Sequence, residues 1–250
     1  MKRFFIVLAI VAIAIAGTGA VVWWYDEWRS GAGGSASAQQ ELPPFDRVAV
    51  EGFADVTLVQ GNAEAISLQG SPEYLRSLKL DVTDGRLTVA NLRARRWWLD
   101  FVGDVKPARI VLTYRKLNAI GVEGAATVRA DRLATERLNV SASGAASVHI
   151  AALEANELAV TGSGALKMDV AGRTVTQKVR ISGAGDYQAR KLDSQTAAVT
   201  VSGAGRVVVR AQKTLDIAVA GAGAVEYYGD PKVTQDIRGV GSVSRRSGGD

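Results

Sequence analysis

Apolar and polar residues alternate through most of this chain, and over residues 120–244 the alternation falls into a repeat. Seven short cores recur: Gly124-Ala125-Ala126-Thr127, Gly144-Ala145-Ala146-Ser147, Gly162-Ser163-Gly164-Ala165, Gly183-Ala184-Gly185-Asp186, Gly203-Ala204-Gly205-Arg206, Gly221-Ala222-Gly223-Ala224 and Gly239-Val240-Gly241-Ser242. Their first glycines lie 20, 18, 21, 20, 18 and 18 residues apart. Counted from that glycine, the even positions are apolar. Four before it stand Ile120, Val140, Leu158, Val179, Val199 and Ile217, with Gln235 as the exception; two before it stand Val122, Ala142, Val160, Ile181, Val201, Val219 and Ile237. The odd positions are mostly small or polar, as at Glu123, Ser143, Thr161, Ser182 and Ser202. A period of two describes strands with one buried face, and the β-branched residues agree. Helical spacing of three and four is absent.

Self-similarity near twenty residues predicts a solenoid, in which each unit buries its apolar side against the next. Two strands joined at a Gly-x-Gly bend, followed by a polar turn, make one coil of a parallel β-helix. Stacked at strand spacing, seven coils would rise roughly 34 Å. The crossover rule favours the right-handed sense. In this frame Val160, Ile181 and Val201 share one internal row. The bend glycines are expected either to need positive φ or to let successive coils approach closely. A phosphate-binding loop would open a helix, and these glycines do not.

The repeat has a degenerate forerunner at Glu51-Gly52-Phe53-Ala54-Asp55-Val56, with Val48, Val50, Val56 and Leu58 alternating around it. Beyond the turn Gln60-Gly61-Asn62, a strand is predicted over 65–68. Ser71-Pro72-Glu73 signals a capped helical turn over 72–77. Asp84-Gly85 joins strands at 78–82 and 86–90 as a hairpin, and a further strand is predicted over 110–114.

The 250 residues leave room for one elongated domain and a targeting segment. Lys2 and Arg3 precede an uncharged run at 4–24, followed by Trp23, Trp24, Tyr25 and Trp28 near its end. Such a run can span a bilayer as a helix, with the basic residues held in the cytoplasm. Residues 1–28 are therefore a signal anchor or a signal peptide. Cleavage at Ala14-Ile15-Ala16 or Thr18-Gly19-Ala20 would release the chain, and both outcomes stay open. Residues 29–44, rich in Gly, Ser, Ala and Gln, are a flexible tether. The solenoid domain is placed at 45–247, with a tail at 248–250. Export follows in either case: inner-membrane anchored facing the periplasm, or secreted after cleavage.

The sequence has no cysteine and one histidine, His149. That removes disulfides, thiolate chemistry and multi-histidine metal sites. The net charge of +5 permits anionic partners. Basic charge concentrates at 91–116, where Arg93, Arg95 and Arg96 adjoin Trp97 and Trp98. These five residues are candidates for binding membrane surface or an anionic polymer; alternatively the segment caps the end of the solenoid. No nucleic-acid motif is present, and the chain's last coil has no predicted cap.

The Gly-x-Gly repeats, the opening Val50-Glu51-Gly52-Phe53-Ala54-Asp55-Val56, the Asp84-Gly85-Arg86-Leu87 hairpin and the closing Tyr228-Gly229-Asp230-Pro231 resemble the bacterial auto-transporter adhesin head GIN domain, a domain of unknown function. The resemblance spans roughly 45–245. It implies a β-helix of the bacterial cell envelope and carries no catalytic residues or cofactor with it. Trp97-Trp98 and the surrounding arginines depart from the family pattern.

The expected role is non-enzymatic: an adhesin-like or scaffolding protein for an envelope polymer or protein partner. A carbohydrate-active enzyme is the alternative. Its candidates are few: Asp186, expected to pair with Arg206, His149 in a column of basic residues, and Asp169 near Lys191 or Arg210. None forms the carboxylate cluster that such chemistry needs. No metal or cofactor is expected.

Overall fold

The computed structural model describes residues 36–91 and 109–248. Sixteen strands form one continuous sheet. At the N-terminal end lie β1 (Ala36–Glu41), β2 (Arg47–Gln60) and β3 (Ala65–Gly70), then α1 (Pro72–Arg76), β4 (Leu78–Thr83), β5 (Arg86–Asn91) and β6 (Arg109–Tyr114). The regular coils run through β7 (Ala119–Ala130), β8 (Leu133–Ala142), β9 (Ala145–Gly162), β10 (Ala165–Ile181) and β11 (Ala184–Gln188). They continue with β12 (Leu192–Val201), β13 (Ala204–Arg210), β14 (Thr214–Tyr228), β15 (Lys232–Gly239) and β16 (Ser242–Arg245). Every pairing from β7 onward is parallel. The chain winds about six turns of a β-solenoid.

Each turn has three sides where alternation alone suggested two strands and a polar loop. The side after the bend glycine is 125–130 in the first regular coil, and the side before the next glycine is 137–142. Between them 133–135 pairs in register with 153–155, as Leu133↔Leu153 and Thr135↔Ala155. Leu133 and Leu153 point into the core, so the presumed loop contributes to the interior. In the 18-residue coils this side shrinks to the turn at 211–213.

Val48, Ile120, Val140, Val160, Val179, Val199 and Ile217 form one buried row. The neighbouring row is Val50, Val122, Ala142, Gly162, Ile181, Val201, Val219 and Ile237. The expected single row of Val160, Ile181 and Val201 is therefore corrected: Val160 pairs with Val179, two positions away. The true bend glycine of the third repeat is Gly164, and Gly162 takes the interior place that Ala142 and Ile181 fill in adjacent coils. With this frame the bend glycines from Gly124 to Gly239 recur every 18 to 20 residues.

Size exchange explains the shift. In later coils a bulky residue two before the bend faces a glycine two after it: a Cβ on Gly185 would lie 2.7 Å from Ile181 Cγ2, and one on Gly223 3.1 Å from Val219 Cγ1. The third repeat reverses the pair. Leu166 occupies the position of Gly185, and a Cβ on Gly162 would meet Leu166 Cδ2 at 3.0 Å. The interior stays filled at native density either way.

The bend glycines answer to a harder constraint. A Cβ at Gly144 would sit 2.0 Å from the Gly124 carbonyl oxygen, and one at Gly183 2.3 Å from that of Gly164. Gly124, at φ 122°, combines close approach with a left-handed backbone.

At the N-terminal end β5 and β6 join β2 in parallel, and β4, β3 and β1 add antiparallel pairings beyond them. β5 and β4 extend one side of β2, while β6, β3 and β1 extend another. Asp84 and Gly85 turn the β4–β5 hairpin with φ of 50° and 72°, and Ser71 caps α1 by accepting from Tyr74 N at 3.2 Å. Residues 36–41, part of the tether expected from composition, form β1, paired antiparallel with β3. At the other end, among the described residues, β15 and β16 pair only with β14 and no described strand adjoins their outer edges. Among the described residues no helix is long and apolar enough to cross a membrane; the predicted N-terminal helix lies outside them.

Two substitutions separate these constraints. Gly144→Ala should cost about 2 kcal/mol or more, because only backbone can yield, whereas Gly205→Ala should change stability by less than about 1 kcal/mol. Gly162→Val should cost about 1–3 kcal/mol alone and much less in combination with Leu166→Gly. Urea unfolding of the single and double variants measures both.

Candidate binding faces

Two open surfaces stand out on the column. The first is a polar groove of about 690 Å³. It forms where the short side meets the side before the bend, because the ladder skips one residue per coil: Thr135↔Ala155 is followed by Arg137↔Glu157, and Thr174↔Ala155 by Thr176↔Glu157. The skipped residues Glu136, Asn156 and Val175 project from the corner and form one wall. Glu157 sits at the centre, with Lys178 Nζ at 2.8 Å and Arg137 Nε at 3.0 Å. The Lys178 ammonium, hydrogen-bonded to it, and the Arg137 guanidinium hold the Glu157 carboxyl below the usual range.

Asn118 is locked at the groove's upper end. Its Nδ2 donates to Asp46 Oδ2 at 2.9 Å, and its Oδ1 accepts from Thr135 Oγ1 at 3.0 Å. By contrast, the side chains of Lys116, Glu136, Asn139 and Asn156 make no hydrogen bond or ion pair among the described residues. Val175, 42% exposed, adds an apolar contact. Free amides, one free cation and one free carboxylate around a rigid centre suit a ligand rich in hydroxyl groups.

The second surface is a shallow apolar groove of about 890 Å³ along the side after the bend. Alanines line it coil after coil, with Phe53 at one end and Val240 at the other, 46% and 85% exposed. Its rim carries Asp55, Thr127, Ser147, Lys167, Asp186, Arg206, Ala224 and Ser242 in successive coils.

The corrected frame moves the residues considered for catalysis. Asp186 stands between Lys167 and Arg206 and accepts from Gln188 Nε2 at 2.5 Å. It forms no pair with Arg206, which turns to Glu226 at 2.8 Å. His149 shares its column with Arg129 and Asp169, and its Nδ1 lies 3.6 Å from Asp169 Oδ2. Asp169 thus faces His149 rather than Lys191 or Arg210. Asp186 and His149 are two coils apart, about 10 Å along the column. Among the described residues no three of His, Cys, Asp or Glu gather closely enough to hold a metal ion. Arg93, Arg95, Arg96, Trp97 and Trp98 lie outside the described residues; the segment that carries them connects β5 to β6, both at the N-terminal end.

One polar cluster is internal. Gln177, fully buried, replaces leucine in the row of Leu138 and Leu158. Its Nε2 donates to Ser194 Oγ at 2.8 Å and to the Arg210 carbonyl at 2.9 Å, while its Oε1 accepts from Tyr187 OH at 3.2 Å. Burial raises the Tyr187 pKa, and that of Tyr114 is pushed up to about 12. The Gln177–Tyr187 cluster is a packing device, closed to solvent and satisfied.

Residues 44–231 match the family described as "Putative auto-transporter adhesin, head GIN domain". The chain belongs to this family. The fold recurs in solved structures of low sequence identity. A "putative adhesin" from Bacteroides fragilis NCTC 9343 is 20% identical with a TM-score of 0.77, covering 85% of this chain and 97% of its own. A "putative lipid binding protein" from Parabacteroides distasonis ATCC 8503 is 17% identical with a TM-score of 0.67, covering 87% and 98%. A "putative adhesin" from Parabacteroides merdae ATCC 43184 is 16% identical with a TM-score of 0.66 and the same coverage. No curated protein matches the sequence.

Glu157 gives a pH prediction. Its folded pKa lies below the ordinary value of 4.5, so its contribution is fully present above that pH and is lost as pH falls through the folded pKa. Glu157→Gln should therefore flatten the acid loss of stability below about pH 4.5, measured by thermal melts across a pH series.

Proposed function

We propose that this GIN-domain protein is a non-enzymatic, adhesin-like component of the bacterial envelope that holds a polysaccharide segment in its polar groove. The observation that carries the reading is the set of four unpartnered polar side chains, Lys116, Glu136, Asn139 and Asn156, around the rigid Glu157 centre. The groove crosses successive coils at a strand spacing of about 4.8 Å, so a saccharide lying along it would meet a different set of polar groups at each coil. The family name and the adhesin-named structures of the same fold agree with a binding role. Residues 1–28 serve as the export signal or anchor. The basic-aromatic residues Arg93, Arg95, Arg96, Trp97 and Trp98 supply a second, electrostatic contact to membrane or anionic polymer.

Calorimetry of the full chain with cellotetraose, chitotetraose and tetragalacturonate tests the groove. At least one should bind, and Asn139→Ala with Asn156→Ala should weaken it at least ~10-fold while the circular dichroism spectrum is unchanged. Binding that survives the double variant, or no binding of any of the three, contradicts the saccharide reading. Replacing Arg93, Arg95 and Arg96 with glutamine should remove salt-sensitive binding to anionic vesicles. Turnover of a saccharide that is lost in Asp186→Asn or His149→Ala would replace the binding role with the enzymatic one.

A further inference from the structure

We infer that the apolar side of the column is an interface between two copies of this chain, packed antiparallel about a twofold axis perpendicular to the column. The inference is independent of what the polar groove binds. The stripe of alanines between Phe53 and Val240 is a flat, continuous surface that no described element covers. Being shallow and open along its whole run, it does not enclose a small molecule. An equally flat, equally long partner covers it best.

Register and charge select the partner and its direction. Eight stacked strand layers line the side, from the one containing Phe53 to the one containing Val240. A twofold between the fourth and fifth layers sets Phe53 of one copy beside Val240 of the other, and alanine against alanine between them. The rim then pairs across the interface without a clash of sign. Lys167 meets Asp186, twice by symmetry; in the next outward column Arg129 and Glu226, already ion-paired within one copy to Asp55 and to Arg206 and Arg246, face each other without repulsion. Within one copy Lys167 has no ion pair among the described residues, and Asp186 is held only by Gln188. The parallel arrangement is worse: its axis runs along the column and turns each rim toward the partner's alanines, so Lys167 and Asp186 are covered with no counter-charge from the partner. Isologous packing of this kind is the commonest form of soluble oligomer.

The area is modest. About 34 Å of length and about 15 Å of width bury roughly 1,000 Å² over the two copies, at the lower limit for a specific interface. A reversible, concentration-dependent dimer follows.

The absence of cysteine makes a clean test possible. The full chain, kept in a mild detergent for its apolar N-terminal run, is prepared as Phe53→Cys, as Val240→Cys and as the double variant, then mildly oxidised. The antiparallel dimer predicts a disulfide-linked dimer from the double variant alone, since the two ends of one copy lie about 34 Å apart. Equal cross-linking of the single variants, or none in the double, overturns the proposal. A monomer whose apolar side stays bare or takes up lipid does the same. Charge supplies the second arm: in sedimentation, Lys167→Asp should weaken association at least ~10-fold, and adding Asp186→Lys should restore it. Loss without restoration overturns the pairing.

Discussion

Backbone-to-backbone contact at one bend of each coil governs this protein. The carbonyl oxygen of each bend glycine occupies the place where the next coil's bend residue would carry its Cβ. Only glycine fits, so the coils pack at strand spacing with nothing between them. Everything lateral to that bend is then in register. The valine rows, the paired outward columns and both open surfaces inherit their alignment from it.

The interior tolerates more than the bend does. Beside each bend, two interior positions share one volume, and the sequence divides that volume in either order: Ile181 with Gly185, or Gly162 with Leu166. Side chains can yield by rotamer changes where backbone carbonyls cannot. The bend row is therefore glycine from Gly52 to Gly239, while the row two residues later accepts alanine, leucine or glycine.

Alternation and glycine spacing made the solenoid, the α1 cap and the Asp84-Gly85 hairpin legible. They misframed the third repeat because Gly162-Ser163-Gly164 repeats its own motif two residues apart, the period of the strand itself. Only size complementarity with Leu166 breaks that tie. The short side at 133–135 was hidden because three residues are too few to display alternation. Glu41 and its predecessors read as tether because a run of Ala, Ser and Gln shows no alternation of apolar and polar residues. The polar groove was less legible still. Asn139 and Asn156 are unremarkable in the sequence, and they gain meaning only when neighbouring coils bring Lys178 and Arg137 onto Glu157. The candidate arginines and tryptophans at 93–98 rest on local composition, which reports on charge and not on geometry.

Inter-coil nuclear Overhauser effects in the full chain test the central claim most directly. The account predicts contacts of the Val160 methyls with Val140 and Val179, and of the Gly162 α-protons with the Leu166 methyls. Contacts of Val160 with Ile181 as its stacking neighbour, without those to Val179, would contradict the register on which the rest depends.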